Sequence, residues 1–172
     1  MVPKTRWIDR RFNFDFPVGH FSSILERLRG TPARIEELTR QLPPEILTRR
    51  PEHGWSIQEN VGHLIKVEEL HVGRLDDYAA GADVLGPADM KNVRTSEADF
   101  NAMPLDDIFK LLRKVRGEFV GRLEAMNEAE AGRMARHPRL NIPMRVVDMA
   151  YFAAEHDDFH CAVIRELAKS VK

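Results

Sequence analysis

Three histidines carry most of the chemistry in this sequence: His63, in Gly62-His63-Leu64, and the pair in His156-Asp157-Asp158-Phe159-His160. Each falls on an apolar row of a predicted helix. Neutral imidazole is the commonest metal-ligating side chain, and three of them around a divalent ion leave a position open for water or substrate. His156 and His160 stand four residues apart, which puts their Cβ atoms about 5–6 Å apart on one helical face. The bland alternative is a pair of core histidines hydrogen-bonded to neighbouring side chains. Ligation is favoured because the pair replaces aliphatic residues on a packing seam, where an unpaired imidazole is costly.

His63 is the expected third ligand. If its helix runs antiparallel to that of the pair, His63 lies about 10 Å from one bundle end, and His160 and His156 lie about 14 and 20 Å from the same end. His71, two turns after His63, is an alternative ligand but reads better as a surface or supporting residue. His20, His53 and His137 sit in loop-like or helix-edge contexts and are read as non-ligands. Asp157 gives His156-Asp157-x-x-His160 the outline of the H-E-x-x-H helix of zinc proteases. It is therefore the candidate catalytic general base, against the alternative of a solvated carboxylate or a partner of the ligands. A protease is disfavoured because aspartate is one methylene shorter, only 12 residues follow His160 and no supporting sheet is expected. Cys161 is rotated off the seam, which makes it an inert thiol.

Four helical segments must position these residues. Phe21, Ile24, Leu28, Ile35, Leu38 and Leu42 share one face of the first, interrupted at Gly30-Thr31-Pro32, so it is either one kinked helix or two short ones in line with Thr31 as a cap. The second opens with the capping box Ser56-Ile57-Gln58-Glu59, which also accounts for Glu59, and ends near Gly81. The third opens at Pro104 and turns Leu105, Ile108, Leu112, Val115, Phe119 and Leu123 inward. The fourth opens near Pro143 and repeats Val146, Met149, Ala153, His156, His160, Val163 and Leu167 at alternating steps of three and four. No strand signal competes, so the expected class is an all-α four-helix bundle. The 23 residues from Gly81 to Met103 are long enough to cross a bundle, which allows helices two and three to run parallel.

The 172 residues suit one domain, with residues 1–19 as an N-terminal arm whose Trp7, Ile8, Phe12, Phe14 and Phe16 pack over the bundle. A net charge of -1 gives no electrostatic case for a nucleic acid or an anionic membrane as partner. Without a signal-peptide run or a membrane-length apolar window, and with a single cysteine, the chain reads as cytoplasmic. No Walker loop, dinucleotide fingerprint or nucleophile elbow occurs.

The string Trp55-Ser56-Ile57-Gln58-Glu59-Asn60-Val61-Gly62-His63-Leu64, joined to the distant Glu155-His156-Asp157-Asp158-Phe159-His160 and to Thr31-Pro32-Ala33-Arg34, resembles the DinB-like superfamily of metal-binding four-helix bundles. The resemblance implies up-down-down-up helix order, metal ligation by His63, His156 and His160, zinc or nickel as the ion, and a homodimer. Relatives of that kind include thiol S-transferases and an isomerase that use low-molecular-weight thiols. The expected function is a metal-dependent enzyme, hydrolase or thiol S-transferase in type, acting on a small molecule. The alternative is a non-catalytic metal-binding or stress-related dimeric bundle.

Overall fold

A computed structural model of the chain describes residues 4–169. The first three residues of the expected arm and the last three of the chain lie outside that range. The fold is a four-helix bundle whose long helices are α1 (Phe21–Thr39), α3 (Ile57–Ala79), α5 (Leu105–Glu124) and α7 (Val146–Lys169). Shorter helices α2 (Pro44–Thr48), α4 (Val93–Glu97) and α6 (Glu128–Ala131) occupy the connections. α1 buries one face through Ile24, Leu28 and Ile35 and α5 through Ile108, Leu112 and Phe119, while the first turns of α3 and α7 are buried all round.

Cross-helix bonds give the relative directions. Asn60 reaches His160 and the Tyr78 hydroxyl donates to the Met144 carbonyl, so α3 and α7 are antiparallel. Gln58 donates to the Met103 carbonyl and Arg122 to Asp76, so α3 and α5 run the same way. The 81–103 connection therefore returns along the bundle, and Gly81 begins it in a left-handed conformation (φ 70°) that suits a residue without Cβ.

α3 starts as its sequence dictates: Ser56 accepts from the Glu59 amide and Glu59 from the Ser56 amide. α1 is one continuous helix with Pro32 inside it. Thr31 caps nothing; it is buried, and its hydroxyl donates to Asp157 at 2.7 Å. That resolves the two readings of Gly30-Thr31-Pro32 in favour of one helix.

Two expectations need correction. Strands do occur: β1 (Met134–Arg136) and β2 (Pro143–Arg145) form an antiparallel hairpin, and Val84 bridges Arg136 in parallel. Three residues per strand are too few for alternation to show in a sequence. Pro143 consequently belongs to β2, and α7 begins at Val146, its start held by the Arg145 amide donating to Asp148.

Two apolar clusters fill the bundle. One contains Leu28, Leu75, Phe119, Leu123, Met149 and Phe152, and is overlaid by Trp7, Phe12, Phe14 and Phe16 of the arm. The other contains Ile35, Ile57, Val61, Leu64, Ile108, Leu112 and Ile164. The buried interior also holds a charged group, in which Arg116 of α5 reaches Asp157 of α7 and Glu68 of α3.

Candidate metal centre

The antiparallel pairing of α3 and α7 sets His63 level with His156 and His160. All three are buried, and one ligand atom from each lies within 4.8 Å of the other two. The His156 and His160 Nε2 atoms are 3.2 Å apart. Ring centroids lie 4.5 Å apart within α7 and 4.9 and 5.2 Å from His63.

Hydrogen bonding sets the His160 tautomer. The Asn60 amide nitrogen donates to the Trp55 and Ser56 carbonyls at 3.2 and 2.7 Å, which leaves its oxygen facing His160 Nδ1 at 2.8 Å. Nδ1 therefore carries the proton and donates, and the lone pair on Nε2 is aimed into the cluster. His63 Nδ1 lies 3.3 Å from the Thr95 hydroxyl. Trp55 and Trp7 wall the group, with centroids 4.6 Å from His63 and 4.8 Å from His156.

The electrostatics favour neutral rings. Burial pushes His63 down to about 4, against an opposing pull from Asp89. Burial, then mutual repulsion, holds His156 and His160 well below the ordinary imidazole range. Neutral imidazoles with converging lone pairs suit a shared cation. Nitrogens about 2.0–2.1 Å from a tetrahedral zinc stand about 3.4 Å apart, so the α7 pair is already at ligating separation and His63 needs only a small inward shift. Donor type, protonation and spacing all fit a divalent ion.

Asp157 is placed elsewhere. It points away from the histidines, buried, and accepts from Arg116 Nη1 at 2.6 Å, Arg116 Nη2 at 3.1 Å and the Thr31 hydroxyl. It does not border the cavity described below. One residue along a helix is a turn of about 100°, so the neighbour of an inward histidine faces another helix. The carboxylate expected as general base is instead taken up by the buried ion-pair group.

A cavity of about 490 Å³ opens beside the histidines, bordered by the arm at Trp7, by α3 from His63 to Arg74, by α4 at Thr95 and by the hairpin at His137. His71 lines it but lies outside the three-histidine group, its ring stacked on Phe119 at 5.5 Å. His137 also lines it, while His20 stacks on Phe16 and His53 is exposed. Burial raises Cys161 to about 11, which keeps it a thiol.

Sequence reasoning missed Asn60, Thr95, Arg74 and both tryptophans. Arg74 had a signal: it is the next step of the His63, Val67, Leu70 row. Thr95 had none, because the connection that presents it carries no periodicity.

A family model described as the DinB superfamily matches residues 27–164. The fold is similar to that of YfiT from Bacillus subtilis, described as a probable metal-dependent hydrolase with an unusual four-helix bundle topology. The TM-score is 0.82 at 16% identity, covering 94% of this chain and 93% of that one. A protein from Streptococcus pneumoniae is similar at TM-score 0.64 and 11% identity, over 94% of this chain and 92% of that one. At these identities the likeness concerns fold alone. No curated protein matches the chain.

Proposed function

We propose that this chain, which belongs to the DinB superfamily, is a metal-dependent enzyme that activates water or a low-molecular-weight thiol toward a small molecule held in the cavity. The observation that carries the reading is the convergence of three buried, neutral imidazoles at the wall of that cavity. The description of YfiT as a probable metal-dependent hydrolase supports the same class.

His63, His156 and His160 would hold the ion, with zinc or nickel as the expected metal. When bound, a divalent ion supplies Lewis-acid chemistry, lowering the proton affinity of a water or thiol at the remaining position. The chain does the rest. Asn60 fixes the His160 ring and tautomer, and Thr95 braces His63. Trp7 and Trp55 restrict water around the histidines, which strengthens electrostatic interactions there. Arg116 and Thr31 hold Asp157 and thereby the rotation of α7 that turns both of its histidines toward the cavity.

Purified protein should carry close to one divalent ion per chain by elemental analysis, and His63→Ala and His156→Ala should lose most of it. Equal ion content in parent and variants refutes the site. Turnover across thiols and electrophiles, abolished by chelator and restored by added ion, supports catalysis. Ion binding with no turnover across that panel favours a metal that only staples α3 to α7.

A further inference from the structure

The far end of the same cavity is rich in donors and poor in acceptors. Arg74, on α3 three turns beyond His63, is 2% exposed yet contacts no carboxylate directly among the described residues. Its Nε donates to the Gly86 carbonyl at 3.0 Å, its Nη1 lies 3.3 Å from His137 Nε2, and its Nη2 is buried with no hydrogen-bond partner among the described residues. Arg139, its guanidinium carbon 5.8 Å from the centre of the Phe152 ring, likewise buries an Nη2 without a partner. Both arginines border the cavity.

His137 sharpens the imbalance. The Leu140 amide donates to its Nδ1 at 3.2 Å, so the proton of the neutral ring belongs on Nε2, the atom that faces Arg74 Nη1. A neutral imidazole cannot accept from both neighbours. The two nearby carboxylates are engaged by backbone: Asp77 accepts from the Gly86 amide at 2.7 Å and Asp89 from the Arg94 amide at 2.9 Å. Burial pushes both arginines below their ordinary range; for Arg74 it outweighs the opposing pull of Tyr78 and Asp77. Unmet buried donors of this kind are costly unless a ligand meets them.

We propose that Arg74, His137 and Arg139 form a subsite for an anionic oxygen group, carboxylate or phosphate, carried by the small molecule that enters the cavity. Only its assignment to a substrate rests on the proposed function; the anion site itself needs no metal. The apolar walls at Val67, Leu70 and Phe152 lie in the same cavity and suit a carbon skeleton between the two ends.

The test uses chelator-treated full-length protein titrated with succinate, inorganic phosphate and neutral succinamide. Binding is read by calorimetry and by emission of Trp7 and Trp55, the only tryptophans in the chain, both of which border the cavity. Saturable binding of succinate or phosphate but not succinamide is expected, and the tighter of the two identifies the oxyanion. Arg139→Gln and Arg74→Gln should each weaken it about 10–100-fold, with divalent-ion content unchanged. Arg139 is only half-buried, so its variant keeps the test available should Arg74→Gln fail to fold. His63→Ala should lose the ion and keep anion binding, which separates failure of the metal reading from failure of this one. The subsite is overturned if neither anion binds saturably, if succinamide binds equally well, or if Arg139→Gln binds as the parent does.

Discussion

Replacing Arg116 by methionine should destabilise the bundle more than any surface change, with a pH dependence that identifies the cause. Arg116 is 3% exposed and contacts two acids, Asp157 at 2.6 Å and Glu68 at 2.6 Å, besides donating to the Leu28 carbonyl at 2.8 Å. Burial alone would raise the Glu68 carboxyl, but the guanidinium and His71 hold it below the ordinary range. Removing the cation leaves two buried carboxylates facing one another. Breaking a buried pair in this way costs about 3–5 kcal/mol. An independent bound comes from letting one acid take up a proton: at pH 7, against an unfolded value near 4, that costs about 4 kcal/mol at about 1.4 kcal/mol per unit. In the variant the buried Glu68 carboxyl, without the guanidinium that lowers it, has a folded-state value above the unfolded one. The folded form then binds more protons, and stability is lost as pH rises from about 5 to 7. Urea unfolding of parent and Arg116→Met at pH 7 and pH 5, both with chelator, measures this. The deficit should shrink by at least about 1 kcal/mol at the lower pH, and adding Asp157→Asn and Glu68→Gln should recover much of it. A deficit below about 1 kcal/mol, or one independent of pH, refutes the argument.

Asn60→Leu removes the acceptor that fixes the His160 tautomer, and ion affinity should fall about 10–100-fold with the helical circular-dichroism signal retained. The chelated parent should lose stability as pH falls from about 6.5 to 4, because over that window the unfolded chain protonates His63 and the folded one, with its value at about 4, does not. That difference is worth up to about 3 kcal/mol, and His63→Ala should flatten the urea-midpoint profile correspondingly. Gly62→Ala would drive a Cβ into the Phe100 ring, so thermal melting should show a loss of about 1–3 kcal/mol from overpacking.

Helix existence was legible because long apolar repeats and one complete capping box carried it: Ser56 and Glu59 announce α3, and the alternation from Val146 to Leu167 announces α7. The level match of His63 with the α7 pair followed from helical rise once the two helices were taken as antiparallel. Connections were not legible for the opposite reason. The β1–β2 hairpin is too short for a period, so Pro143 looked like a helix start when it opens a strand. Asp157 was misplaced because sequence spacing gives the angle between neighbours on a helix, not the partner waiting on the next one. Arg116, three turns after Leu105 and on the buried row between Leu112 and Phe119, supplied that partner. Thr95, on the short α4, and His137, in the hairpin turn, join the cavity through connections whose path no local signal encodes.

The two faces of α7 bear on each other. Arg116, Glu68 and Asp157 together carry one positive and two negative formal charges, and Asp157 adjoins His156 in the same turn. Asp157 is held by Arg116 and Thr31, so the ion-pair group fixes the rotation of α7 that presents His156 and His160 on its other face. At the other end of the cavity Arg74 and Arg139 leave excess positive charge. The cavity thus holds converging imidazoles beside α7 and unmet arginine donors beside the hairpin. A ligand with an anionic oxygen group at one end and a reacting centre at the other would enter in one orientation, held by charge before any contact specific to its skeleton is made. Reversing the far end with Arg139→Glu should therefore weaken anion binding more than Arg139→Gln does, with the ion at the histidines retained; equal effects in a calorimetric titration would show that the hydrogen bond, not the field, does the selecting.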